Sequence, residues 1–105
     1  MREELFAGYL KKNCAGRRKI MSGRALEKAL HMSGNELRKQ VNKLRRKGVP
    51  IASNQDGYFY AVSAGEVYAT IKQLQKMEAG LAAAIRGLET SLESFEAGGT
   101  EGADT

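Results

Sequence analysis

Residues 33–48 are SGNELRKQVNKLRRKG, a basic stretch with regularly spaced aliphatic residues. Six cations crowd around one carboxylate, yet Leu37, Val41 and Leu44 run through it at i, i+4 and i+7. At 100° per residue those three fall within roughly 60° of one another, the stripe of a helix seated on an apolar core. Opposite them fall Asn35, Lys39, Asn42 and Arg46, flanked by Arg38 and Lys43. Ser33 is placed to cap the start of this helix and Gly48 to end it.

Upstream of the stretch, Ser22 caps a second helix, with Ala25, Leu26, Ala29 and Leu30 facing inward and His31-Met32 as the turn between the two helices. Farther back, residues 3–13 read as a first helix with Leu5, Phe6, Tyr9 and Leu10 on one face. Cys14-Ala15-Gly16 closes it, the basic connector Arg17-Arg18-Lys19 follows, and Ile20-Met21 is expected to form a short strand. Downstream, residues 49–53 and 58–62 read as two strands around the polar turn Asn54-Gln55-Asp56-Gly57, with Pro50 confining the first to an edge or strand start. Three helices and a hairpin predict a mainly α domain with a small β-hairpin, a winged helix-turn-helix, over residues 1–62.

From residue 63 the chain returns to helix. Ser63 is the expected N-cap, with Glu66 completing a capping box. Val67, Ile71, Leu74, Leu81, Ile85, Leu88, Leu92 and Phe95 follow at spacings of 4, 3, 7, 4, 3, 4 and 3, a heptad seam broken only by Glu78. A helix over residues 64–96 spans roughly 50 Å. A domain of about 62 residues is only about 27 Å across. Such a helix is too long to lay its whole stripe on its own domain. Residues 63–96 are therefore read as a long coiled-coil-type helix that makes the chain a homodimer through Val67, Ile71, Leu74, Leu81, Ile85, Leu88 and Leu92. A helical hairpin and a different protein partner are the other ways to cover the stripe. Gly80 and Gly87 weaken the helix by up to ~1 kcal/mol each, while Ala79, Ala82, Ala83 and Ala84 let helices approach closely. The pattern leaves parallel and antiparallel pairing open. Residues 97–105 carry no large apolar side chain and are expected to be disordered.

Charge divides at the same boundary. Residues 1–62 hold 14 Lys/Arg against 5 Asp/Glu, a net of +9, and residues 63–105 hold 3 against 7, a net of −4. A domain at +9 repels itself unless that charge meets a polyanion. Asn and Arg are suited to bidentate contacts with adenine and guanine edges in a major groove. Arg45, Arg46 and Lys47 stand at the helix end, where phosphate contacts position a protein without reading sequence. Double-stranded DNA is the expected partner.

The stretch SGRALEKALHMSGNELRKQVNKLRRKGVPIASNQDGYFYA, residues 22–61, resembles the N-terminal DNA-binding domain of the biotin operon repressor and the helix-turn-helix family around it. The likeness lies in a helix ending L-H-M-S, the inward Leu37, Val41 and Leu44, an R-x-x-G-V segment, and a wing closing on Gly57-Tyr58. It implies that the helix beginning near Ser33 enters the major groove while the wing touches the flanking backbone. By position it nominates Ser33, Asn35, Arg38, Lys39 and Asn42, with Asn54 and Gln55 in the wing. Gly34 stands where that family often has Arg, so the resemblance implies one contact fewer there. The wing lacks a cation and carries Asp56, so it is expected to contribute little. The likeness stops at Ala61 and brings neither ligase chemistry nor its effector.

Other classes find little support. With 42% apolar and 28% charged residues in 105, the composition is that of a globular chain. No apolar run approaches the ~18–20 residues of a membrane helix. MREELFAGYL carries acids where a signal peptide carries cations, which predicts a cytoplasmic protein without membrane partners. Cys14 and His31 are each the sole residue of their kind, so no metal site or catalytic triad assembles, and neither enzyme activity nor a cofactor is expected. A protein-interaction or assembly adaptor, such as a phage-type or replication accessory factor with only non-specific DNA affinity, is the rival to a small transcriptional regulator.

Overall fold

Two serines set the start of the central helices. In a computed structural model that describes residues 2–97, Ser22 Oγ accepts from the Ala25 N–H at 3.1 Å and Ser33 Oγ from the Glu36 N–H at 3.2 Å. Glu36 closes a full capping box by accepting from the Ser33 N–H at 2.9 Å. The elements run α1 (Arg2–Asn13), a 3₁₀ turn (Arg17–Lys19), α2 (Gly23–Leu30), α3 (Gly34–Arg46), β1 (Ile51–Asn54), β2 (Gly57–Tyr60) and α4 (Ala64–Ala97). His31 ends α2 in the left-handed region, φ 52°, with its N–H on the Glu27 carbonyl. Gly48, φ 90°, follows the end of α3. The architecture is mainly helical, with one two-stranded antiparallel hairpin and a long C-terminal helix.

The core joins Phe6, Leu10 and Cys14 of α1 and its exit, Leu26 of α2, Leu37, Val41 and Leu44 of α3, and Ile51, Ala52, Phe59 and Ala61 around the hairpin. Two expected inward positions differ. Leu5 is 65% exposed and Ala29 is exposed, because a seam at spacings of four through Phe6, Leu10 and Cys14 turns α1, and the Leu26 line turns α2, away from them.

The strands are shorter than expected and the turn tighter. Asn54 pairs with Gly57, so the loop is the two residues Gln55-Asp56, and Val49, Pro50, Ala61 and Val62 lie outside the strands. Of the expected strand at Ile20-Met21, only Met21 pairs, as an isolated antiparallel bridge to Tyr58 with bonds of 3.0 and 2.9 Å. Gly57 is required there: at φ 147° its Cα faces the Met21 carbonyl, where any Cβ would collide.

The capping box expected at α4 is only half formed. Ser63 Oγ accepts from the Glu66 N–H at 3.2 Å. The Glu66 carboxylate, however, accepts from the N–H groups of Val62 (2.8 Å) and Arg17 (3.1 Å), joining α4 to the connector after α1. Thr70 is buried and binds β1, its Oγ1 accepting from the Ser53 N–H at 3.2 Å. Val67, assigned from the sequence to a partner interface, packs instead against the core. The compact unit accordingly extends to Ile71, taking in the opening turns of a helix that the sequence places in a separate segment.

The second unit begins at Lys72. α4 is unbroken to Ala97, so the stripe is not covered by a helical hairpin. Residues 72–96 are exposed except for the half-buried Ala82. Ala97 closes α4, and residues 98–105, most of the expected tail, lie outside the described residues. Among the described residues no helix is long and apolar enough to cross a membrane.

Candidate nucleic-acid interface

α3 is held by its inner face. Leu37, Val41 and Leu44 are 2%, 2% and 3% exposed, leaving the opposite side of the helix to solvent. Asn35, Arg38, Lys39, Asn42, Lys43 and Arg46 are all exposed. Each face of α3 therefore follows the helical periodicity of its sequence.

These side chains are not equivalent. Arg38 donates from Nη2 to Asn35 Oδ1 at 2.7 Å, so a planar donor and an amide are held together at the N-terminal half of the face. A Cβ at Gly34 would stand 3.3 Å from Glu27 Oε2 and 3.5 Å from Arg38 Nη1. The missing side chain at 34 thus leaves room for Arg38. Lys39 and Arg46 have no ion-pair partner among the described residues. Lys43 is tied at 2.6 Å to Glu3 of α1, which Lys47 also binds at 2.5 Å. Between the two ammonium groups the Glu3 carboxyl is held at about 2, far below its ordinary 4.5.

Arg45 does not join the phosphate-facing group in which its sequence position puts it. It is half-buried, donating from Nε to the Ile51 carbonyl at 2.8 Å and from Nη2 to Ser53 Oγ at 3.0 Å. It braces α3 against β1. Burial pushes its guanidinium pKa down, though Arg remains charged. The signal for this role was present: Arg45 follows Val41 by four residues and so borders the buried stripe. Thr70 and Glu3, by contrast, carry no local mark of their contacts.

The hairpin tip offers less. Asn54 is half-buried and its Oδ1 accepts from the Asp56 N–H at 2.7 Å, an Asx turn that shapes the loop. Gln55 and Asp56 are exposed. Ser33 is exposed too, but its hydroxyl is already an acceptor in the helix cap. The structure brings Asn35, Arg38, Lys39, Asn42 and Arg46 onto one open face, with Lys43 at its paired edge. No protein-family model, curated protein or solved structure matches the chain.

Proposed function

We propose that the chain is a sequence-specific double-stranded DNA-binding protein of winged helix-turn-helix type, a small dimeric transcriptional regulator acting in the cytoplasm. One observation carries this reading: α3 is anchored by a buried apolar seam and offers, on the opposite side, an open face of Asn and Arg/Lys side chains. In this reading α3 is the recognition helix. Arg38, Asn35 and Asn42 contact base edges, whereas Lys39 and Arg46 contact phosphates. Asn54 and Gln55 at the hairpin tip reach the flanking backbone. The exposed Leu74, Leu81, Ile85, Leu88 and Leu92 of α4 join two copies, and two recognition helices then read a spaced two-fold site.

Selection from random duplexes at two salt concentrations tests this. A two-fold motif that survives the higher salt is expected. Arg38→Ala or Asn42→Ala then loses roughly 1–3 kcal/mol on the selected site and relaxes specificity at one position. Arg46→Ala weakens binding evenly across sequences and lowers the salt slope by about one. Binding with no enriched motif, steeply lost as salt rises, would refute this reading in favour of an adaptor.

A further inference from the structure

We infer that the second half of α4 pairs with a second copy of this chain in antiparallel orientation. This rests on the self-association proposed above, and not on DNA binding.

The exposed seam is defined by Ile71, Leu74, Leu81, Ile85, Leu88, Leu92 and Phe95, between 38% and 68% exposed, with Glu78 in line among them. Spacings of four and three assign Ile71, Glu78, Ile85 and Leu92 to one core position of the heptad and Leu74, Leu81, Leu88 and Phe95 to the other. In a parallel in-register pair each residue meets its own copy in the same layer. Glu78 would then face Glu78 within an apolar core, two like charges stripped of water with no cation in the layer. Antiparallel pairing removes that layer. An overlap covering the seam from Ile71 to Phe95 is centred near residue 83, which sets the two Glu78 side chains roughly 15 Å apart along the axis.

Charge runs the same way. Lys72, Lys76 and Glu78 precede the centre, a net of +1, and Arg86, Glu89, Glu93 and Glu96 follow it, a net of −2. Parallel pairing sets each end beside its own copy, whereas antiparallel pairing sets the net-positive end of one helix beside the net-negative end of the other. This is a longer-range attraction, because Lys72 and Lys76 lie outside the positions that flank the seam. At the centre Ala82, Ala83 and Ala84 are small enough for close approach. A heterologous partner would require a second, complementary seam. Here the complement is supplied by the same helix reversed.

The test uses the full chain carrying a spin label at Ser94→Cys, with unsubstituted protein as control because Cys14 is buried. Sedimentation establishes the mass, and pulsed dipolar spectroscopy reads the distance between the two labels. A dimer with its labels separated by about 33 Å or more is expected, as is a short distance in a mixture of Gln73→Cys and Ser94→Cys copies. A dimer in which two Ser94→Cys labels lie within about 20 Å would overturn the antiparallel assignment while leaving self-association standing. A monomer at all concentrations would overturn both.

Discussion

Arg45 and Arg46 are adjacent cations with different work. Arg46 lies on the open face, and Arg45 bonds to Ile51 and Ser53. Arg45→Ala leaves a carbonyl and a hydroxyl beside the core without their donor, so urea unfolding should show a loss of about 1–3 kcal/mol. Arg46→Ala removes the same charge and should change stability by no more than about 0.5 kcal/mol. If the two variants unfold alike, the brace is not stabilising. Cys14 shows burial deciding chemistry in the same way. Fully enclosed, with its thiol pKa pushed up by desolvation, it should resist a disulfide reagent in the native protein and react only once denaturant is added. Thiol titration with and without denaturant checks this.

At the scale of elements, the first turn of α1 is fastened to the end of α3 through Glu3, Lys43 and Lys47. The folded carboxyl titrates at about 2 against an ordinary 4.5. A depressed carboxyl stabilises the fold fully above its ordinary value and loses that contribution as pH falls towards the folded one. Glu3→Gln should therefore melt below wild type at pH 6, with the two melting curves converging between pH 4.5 and about 2. Added salt should narrow the gap, since these are surface charges. Thermal melts across pH read both effects, and a gap that is independent of pH would remove the ion pair as its cause. The hairpin and α4 are joined by a neutral hydrogen bond, from the Ser53 N–H to Thr70 Oγ1, which does not share this pH dependence.

For the whole molecule, the basic excess of residues 1–62 and the exposed seam from Leu74 onward belong to separate units. The compact unit ends at Ile71, and the seam from Leu74 onward contributes nothing to its core. If two copies pair through α4 and read DNA as proposed, Ile85→Asp should convert dimer to monomer in sedimentation and weaken binding to a two-fold DNA site by at least tenfold. The unfolding midpoint of the compact unit, measured at low concentration, should stay unchanged. A variant that remains dimeric would show that another surface holds the copies together.

The seam of α3, the serine caps, the glycine stop after α3 and the division of charge were legible because each depends on residues near one another along the chain. Periodicity carries that information without knowledge of the partner. The fates of Glu3, Val67, Thr70 and Arg45 turned on what the fold brought beside them. Glu3 meets Lys47 across 44 positions, Glu66 meets Arg17 across 49, and Thr70 meets Ser53 across 17. A heptad pattern is the same whether its first position packs on its own domain or on a second copy, so Val67 read as part of the seam. A cation on a basic helix likewise reads as exposed until a neighbouring strand supplies acceptors. Those assignments belong to tertiary structure, because burial and hydrogen-bond satisfaction are set by neighbours in space rather than along the chain.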